Sequence, residues 1–218
     1  MIFQLGADKM IFPNPALAEE DGLLAIGGDL STERLLLAYT NGIFPWFSEG
    51  GPICWFSPHE RCVIFPEDIV VSKSMQKILK KNVFEIKINT AFEEVIENCK
   101  TINRNGQDGT WITNEMKVAY IELHKLGIAK SIEVWQANKL AGGMYGLEIN
   151  SVFCGESMFS NVSNASKAAV IWLCKSNQYK LLDCQVANDH LLSLGAVMIS
   201  QKRYLEILQQ KLKASANQ

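Results

Sequence analysis

This sequence has no apolar run long enough to cross a membrane, which takes about 20 consecutive apolar residues. It has no excess of charge either: 21 basic side chains stand against 23 acidic ones, a formal net of −2. A broad cationic surface is therefore excluded, and any nucleic-acid contact must rest on a local patch. Histidine is scarce, with three residues, and neither H-E-x-x-H nor a C-x-x-C pair occurs. The six cysteines, at positions 54, 62, 99, 154, 174 and 184, are scattered. They read as reduced, mostly buried, small apolar residues, and no metal is expected. The opening residues MIFQLGADKMIFPNP lack a basic start, a long apolar middle and a small-residue cleavage site. They do not make a signal peptide, so a cytoplasmic protein with no membrane partner is expected. Gly142, Gly143 and Gly146 of LAGGMYG form neither G-x-G-x-x-G nor a Walker loop. Such glycines in a strand permit a bulge or the close approach of a ligand instead.

What is present is enough apolar material for a sizeable core: 48% of 218 residues. That fits one large domain, or one domain with a small companion. The first sixty residues are rich in Gly, Pro and aromatics and read as a small N-terminal domain, 1–61. Within it Ser31 can cap a helix over Thr32–Thr40, and Gly42 can end it. From residue 62 to 218 the elements become regular. CVIF and DIVV read as strands, Ser72 can cap a helix through Lys81, and FEIKI alternates as a strand does. Thr90 and Glu93 have capping-box spacing for a helix to about Cys99. TINRNGQDG reads as a polar loop, and Thr113 can cap a helix that carries Tyr120 and Leu123 and ends at Gly127. SIEVW, LAGGMYGLEI and SVFCGESMF follow at hairpin spacing and predict an antiparallel meander. A helix (about Ala165 to Ser176), the strand KLLDCQ, a helix (about Asn188 to Leu194), the strand VMIS and a last helix from about Lys202 follow. A meander and then β-α-β-α-β predicts an α+β chain with a mixed sheet flanked by helices. That order has a pattern analogue in the N-acetyltransferase-like (GNAT) fold.

A few residues carry chemistry. In VFCGESMF, strict alternation lines up Val152, Cys154, Glu156 and Met158, which leaves one carboxylate in an apolar row. A buried carboxylate needs a cationic or hydrogen-bonding partner, and a structural ion pair would satisfy it as well as a substrate would. In LLDCQVANDH, alternation sets Asp183 and Gln185 on one face and Cys184 on the other. Polar groups where a strand feeds a helix form either a binding site or a helix-entry network, with Asn188 as the cap and Asp189 in the first turn. Trp46 and Trp111 sit in loop-like sequence beside Pro or Gly. They are core residues or stacking platforms for a nucleobase. Lys73, Lys77, Lys80 and Lys81 follow helical spacing, as a solvated face or as a phosphate-binding one.

In their order, FPNP, GLLAIGGDLS, LLLAYTNGIFPWF, WFSPHER, GTWIT, SIEVW, LAGGMYG, FCGESMFS, NASK and DCQVANDHLLSLGA closely resemble the bacterial leucyl/phenylalanyl-tRNA–protein transferases. The likeness runs from about Phe12 to about Leu208. It implies a small N-terminal domain joined to a GNAT-like C-terminal domain. It also implies transfer of Leu, less readily Phe or Met, from aminoacyl-tRNA to proteins with N-terminal Arg or Lys, which marks them for N-end rule degradation. Trp46 and Trp111 match the aromatics that frame the aminoacyl-adenosine end, and Met144, Phe153 and Met158 match the side-chain pocket. Glu156, Asp183, Gln185 and Asn188 match the catalytic and acceptor-binding group. Under this reading Gln185 orients the amine, Asp183 polarises it or receives the proton through water, and Glu156 pairs with the acceptor's basic N-terminus. The four lysines then touch tRNA backbone. Strict alternation separates Phe153 from Met158, and a bulge at Gly155 would reunite them. The ester is already activated, so no ATP, CoA or other cofactor is expected, and the protein is expected to act as a monomer. An acyl-CoA N-acetyltransferase is disfavoured because SNVSNAS holds no glycine where those enzymes carry a Gly-rich turn. The intact GESMF and DCQ segments disfavour a binding-only tRNA module.

Overall fold

The computed structural model describes residues 2–6, 8–102 and 111–210. Most of TINRNGQDG lies outside them. The chain opens with β1 (Phe3–Leu5), a 3-10 turn at Pro15–Leu17, β2 (Leu23–Gly27), α1 (Thr32–Thr40), β3 (Phe44–Pro45) and β4 (Cys54–Phe56). It continues with β5 (Glu60–Ile64), a 3-10 turn at Pro66–Asp68, α2 (Lys73–Lys80), β6 (Glu85–Ile88), α3 (Phe92–Thr101) and α4 (Asn114–Lys125). The meander β7 (Ala129–Gln136), β8 (Lys139–Ile149) and β9 (Val152–Ser160) follows. Then come α5 (Ala165–Lys175), β10 (Leu181–Gln185), α6 (Asp189–Leu192), β11 (Val197–Ser200) and α7 (Gln201–Leu208). Among the described residues this is a mixed α/β fold with seven α-helices and two mixed sheets.

The helix starts obey their local chemistry. Ser31, Ser72 and Thr113 each accept the backbone N–H three residues on, at Arg34, Met75 and Met116. Such caps are each worth about 1 kcal/mol. Gly42 and Gly127 take the positive φ that lets the chain leave α1 and α4. Two expectations fail. DIVV is not a strand: Pro66 opens the 3-10 turn directly after β5, and the Val70 N–H is taken by the Leu194 carbonyl in a loop contact. The Thr90–Glu93 capping box does not form. Instead the buried Glu133 of β7 reaches under α3 and accepts the N–H groups of Thr90 and Ala91 at 2.8 Å each, together with the Thr90 hydroxyl. A carboxylate placed against the positive end of a helix does the cap's work from another strand.

The small sheet has the order β1-β2-β4-β3, and the large one β11-β5-β10-β9-β8-β7-β6. In the large sheet β9 and β10 run parallel and the other neighbours antiparallel. One face of it is covered by α3, α4, α7 and the N-terminal elements, with Tyr39, Trp55, Val95, Tyr120, Tyr145, Cys154 and Tyr204 in a single apolar cluster. The other face carries α2 and α5, with Cys62, Met75, Met144, Phe153, Ala168, Ile171 and Leu182. The two sheets therefore share a core on one side.

Candidate active site

The site lies where β9 and β10 part. Their parallel pairing runs from Val152–Leu181 to Cys154–Asp183 and stops. Beyond that point each strand carries a bulge. On β9, Tyr145 of β8 faces Ser157 while the next residue, Gly146, faces Gly155, so Glu156 is the extra residue. On β10, Asp183 faces Val63 and Gln185 faces Cys62, so Cys184 is the extra one. Gln185 adopts φ +57°, a left-handed conformation that is uncommon for a non-glycine residue. Between the diverging arms opens a cavity of about 370 Å³. Its walls are Gly155–Met158 and Leu182–Asn188, with Phe44, Pro45, Trp46, Trp111, Met144 and Leu191 completing it.

The bulges correct two alternation arguments. Met158 leaves the Val152–Cys154 side, because the extra residue flips every later side chain to the other face. Met144, Gly155, Met158 and Phe153 then share a face, as a bulge beside Gly155 requires. On β10, Asp183 and Gln185 are not joined by alternation. They are joined by a turn in which the Gln185 N–H donates to Asp183 Oδ1 at 2.9 Å.

Glu156 finds its partners among neutral groups. Tyr39 of α1 donates to Oε1 at 2.7 Å, Tyr120 of α4 donates to Oε2 at 3.0 Å, and Gln185 Nε2 donates to Oε1 at 3.2 Å. The two phenol oxygens also lie 2.5 Å apart. With the carboxyl ionised, two phenol protons serve three oxygen–oxygen contacts; with it protonated, the carboxyl donates to one tyrosine and that tyrosine donates to the other. Burial pushes the Glu156 pKa up to about 7. The two tyrosine hydroxyls pull the other way, Asp183 adds to the rise, and Arg61 opposes it. Burial and the nearby carboxylate hold both tyrosines well above the ordinary phenol value, so they stay protonated donors.

Asp183 is held in the opposite manner. It is fully buried and accepts four hydrogen bonds. Two come from Arg61, Nε to Oδ1 at 2.9 Å and Nη2 to Oδ2 at 2.8 Å. The others come from the Tyr204 hydroxyl at 2.8 Å and the Gln185 N–H. Burial lowers the Arg61 pKa, but the facing carboxylate outweighs it and raises the guanidinium above its ordinary value. Both Asp183 oxygens are thus fully engaged, so a proton relay through Asp183 is not supported. Its geometry is that of a support beneath Gln185.

The remaining expected residues divide into those at the cavity and those away from it. Trp46, 41% exposed and packed on Phe56, and Trp111 flank the opening. Met144 and Met158 line the apolar part. Asn188 stands at the rim and accepts the Leu191 N–H as the cap of α6. Phe153 does not reach the cavity: it is fully buried, edge-on to Tyr179 at 5.3 Å. Lys73, Lys77, Lys80 and Lys81 are exposed on α2 and at its end, and none lines the cavity. Tyr39, Tyr120 and Arg61 were missed in the sequence. The signal that could have found them was the demand of a buried carboxylate for donors. Among the described residues no group of three or more His, Cys, Asp or Glu could hold a metal ion, and no helix is long and apolar enough to cross a membrane.

Comparison with known proteins gives this geometry its family. The leucyl/phenylalanyl-tRNA protein transferase profile matches residues 63–209, and the profile of that family's N-terminal domain matches residues 28–59. Proteins named leucyl/phenylalanyl-tRNA–protein transferase are similar along nearly the whole chain. The one from Flavobacterium psychrophilum is 57% identical over 203 residues, covering 92% of this chain and 96% of its own. The one from Flavobacterium johnsoniae is 58% identical over 205 residues, covering 93% and 97%. The one from Klebsiella pneumoniae subsp. pneumoniae is 50% identical over 212 residues, covering 95% and 90%. A solved conserved protein of unknown function from Bacteroides thetaiotaomicron aligns with a TM-score of 0.45 and 13% identity over 85% of this chain and 65% of its own, too slight a likeness to bear on the fold. The matches make this an aminoacyltransferase. The chain belongs to the leucyl/phenylalanyl-tRNA–protein transferase family.

Proposed function

We propose that this enzyme moves Leu, and also Phe or Met, from aminoacyl-tRNA to the α-amino group of proteins with N-terminal Arg or Lys. The new peptide bond marks the acceptor for N-end rule degradation in the cytoplasm, and the enzyme acts as a monomer without a cofactor. One observation carries the reading. A carboxylate ringed by neutral donors (Glu156) stands at the wall of a cavity whose apolar part is built from Met144 and Met158.

The donor's side chain lies against the two methionines. Their unbranched, polarizable chains adapt to more than one apolar group, and a methylene more or less changes binding by only about 1–3 kcal/mol. Trp46 and Trp111 stack on the terminal adenosine. The acceptor's cationic N-terminal side chain pairs with the ionised Glu156 carboxylate and lowers its proton affinity, so that the carboxyl's proton is released to solvent. Gln185 donates through Nε2 to Glu156, which leaves its carbonyl oxygen to hold the attacking amine. The amine nitrogen bonds to the ester carbonyl carbon, the ester C–O bond breaks, and the amine's proton leaves on the terminal ribose hydroxyl of the tRNA. Holding the two reactants together can by itself remove about 7–11 kcal/mol of barrier. Asn188 serves the acceptor at the rim, Phe153 backs the pocket from behind, and the lysines of α2 touch tRNA backbone.

The same reading divides the chain into a small unit, 1–61, and a GNAT-like unit, 62–218. The change from the small sheet to the large one between β4 and β5, the parallel β9–β10 pair and the α5 crossover between them support that division, with the boundary falling inside β5. The test mixes the protein with radiolabelled leucyl-tRNA and two acceptor peptides that differ only at the first residue, Arg or Met, without ATP or CoA. Label on the Arg peptide alone is expected. Label on neither would sink the reading, and label on both would remove Glu156 as the selector.

A further inference from the structure

The cavity has two walls that come from different parts of the chain. One is the segment Phe44–Trp46, in and beside β3; the other is the bulged end of β10. Arg61 stands between them, fully buried, on β5. Its Nη1 donates to the Gly42 carbonyl at 3.2 Å, two residues before Phe44. Its guanidinium carbon lies 4.7 Å from the centre of the Phe44 ring and 4.5 Å from that of the Tyr204 ring, so the cation packs against both. Its remaining nitrogens grip Asp183 two-fold, and Asp183 in turn holds the Gln185 N–H. Gly42 has φ +71°, and a Cβ there would meet Leu205 at 2.7 Å and Tyr204 at 3.1 Å, so α7 closes the box from below. Taken together, these contacts tie the Phe44–Trp46 wall to the β10 wall through Arg61.

We propose that Arg61 is a positioning residue for the transfer. Through Asp183 it fixes the left-handed backbone of Gln185, and through Gly42 and Phe44 it fixes the distance of the Trp46 wall from that carboxamide. Arg61 touches no substrate; its product is the register between the group that holds the adenosine and the group that holds the amine. A planar fork is needed, because a lysine ammonium cannot hold both Asp183 oxygens in parallel and also reach the Gly42 carbonyl. The role in transfer rests on the functional reading above, whereas the clamp itself is a property of the fold.

The test uses Arg61→Lys, Arg61→Met and Tyr204→Phe, the last removing only one of the four bonds to Asp183. Three readouts are taken on each: thermal unfolding, amide hydrogen exchange at Gln185, and kcat and KM for leucyl-tRNA and an Arg-initiated peptide across pH. For folded R61K, Gln185 exchange should quicken by about tenfold or more while strand β8 keeps its protection. Its kcat should fall about 10²-fold, the loss expected for reactants misplaced by about an ångström, with KM for leucyl-tRNA nearly unchanged. Folded R61M should also move the acid limb of the pH profile upward. The groups facing Glu156 are Tyr39, Tyr120, Asp183 and Arg61, and only the last favours its ionised form by charge. Y204F should show the same exchange change in weaker form with its melting point little altered. If neither Arg61 variant folds, Y204F decides alone. Wild-type exchange at Gln185, or wild-type kcat in a folded variant, overturns the proposal. Should the wild-type protein transfer nothing, the functional reading falls, while the exchange data still decide whether Arg61 clamps Gln185.

Discussion

The two arms of the fork each present a carboxylate, on strands that run side by side until they bulge. On the β10 arm, Asp183 meets a full positive charge, a phenol and a backbone amide, and is sealed from water. On the β9 arm, Glu156 meets two phenols and a carboxamide, all uncharged, at the edge of a cavity. On the β10 arm the carboxylate's charge is neutralised from within; on the β9 arm no cation among the described residues is bonded to the carboxyl, which is what the proposed pairing with a basic acceptor requires. The same side-chain chemistry thus yields a carboxylate paired with a cation on one arm and a carboxyl held by neutral donors on the other.

Removing the charge on the β10 arm should have the largest effect. Asp183→Asn leaves the Arg61 guanidinium buried opposite a neutral amide, which costs about 3–5 kcal/mol in comparable buried pairs. Urea unfolding would measure it, and a loss under about 1 kcal/mol would erase the distinction between the arms. Glu156→Gln should act in reverse and stabilise the protein at pH 8. Burial raises this carboxyl's folded-state pKa from 4.5 to about 7, so the folded form holds the proton more tightly than the unfolded chain does. Stability from this group is therefore present at low pH and is lost as pH rises through 7. At about 1.4 kcal/mol per pKa unit, the substitution should gain on the order of 3 to 4 kcal/mol at pH 8 and nothing near pH 4.5. A gain independent of pH would argue against the raised carboxyl. The variant should at the same time lose its preference for Arg-initiated acceptors.

A finer comparison concerns the donors around Glu156. Transfer should rise with pH through an apparent pKa close to 7, since the ionised carboxylate is the form that receives a cation. Tyr120→Phe removes one hydrogen bond to that ionised form and should move the limb upward by about half a unit. An unmoved limb would assign the titration to some other group. The smallest effect belongs outside the fork. Neutralising Lys80 and Lys81 should weaken tRNA binding modestly and flatten its log–log salt dependence by about two, leaving Arg-acceptor preference intact. Unchanged binding would return α2 to a plain solvated face.

Much of this was legible from residue patterns and some of it was not. Ser31, Ser72 and Thr113 announced their helices because a cap is a local bond between neighbours in sequence. The meander showed itself through period-two alternation and short connections. Glu133 at the start of α3 was invisible, because a carboxylate that caps a helix from a strand some forty residues away leaves no local mark. At the site, Glu156 and Gln185 were found as polar residues in apolar strands, yet alternation misplaced Met158 and the Asp183–Gln185 pair. Period-two reasoning has no place for an extra residue, and both arms carry one. Tyr39 and Tyr120 looked like ordinary apolar faces of α1 and α4. Their hydroxyls matter only because the fold brings both to one carboxylate.

The connections that complete the site have a consequence for when it appears. Tyr39 bonds a carboxylate 117 positions away, Arg61 one 122 positions away, and Tyr204 closes the box around that second carboxylate from the last helix. Contacts of such separation form only after the chain between them has been made, and a ribosome adds about 5–20 residues each second. A nascent chain already holding the meander therefore has neither the β10 arm nor the cavity. The box around Asp183 is complete only when α7 has left the exit tunnel, so a product of translation that stops short of it, however well its meander is formed, lacks the Tyr204 bond.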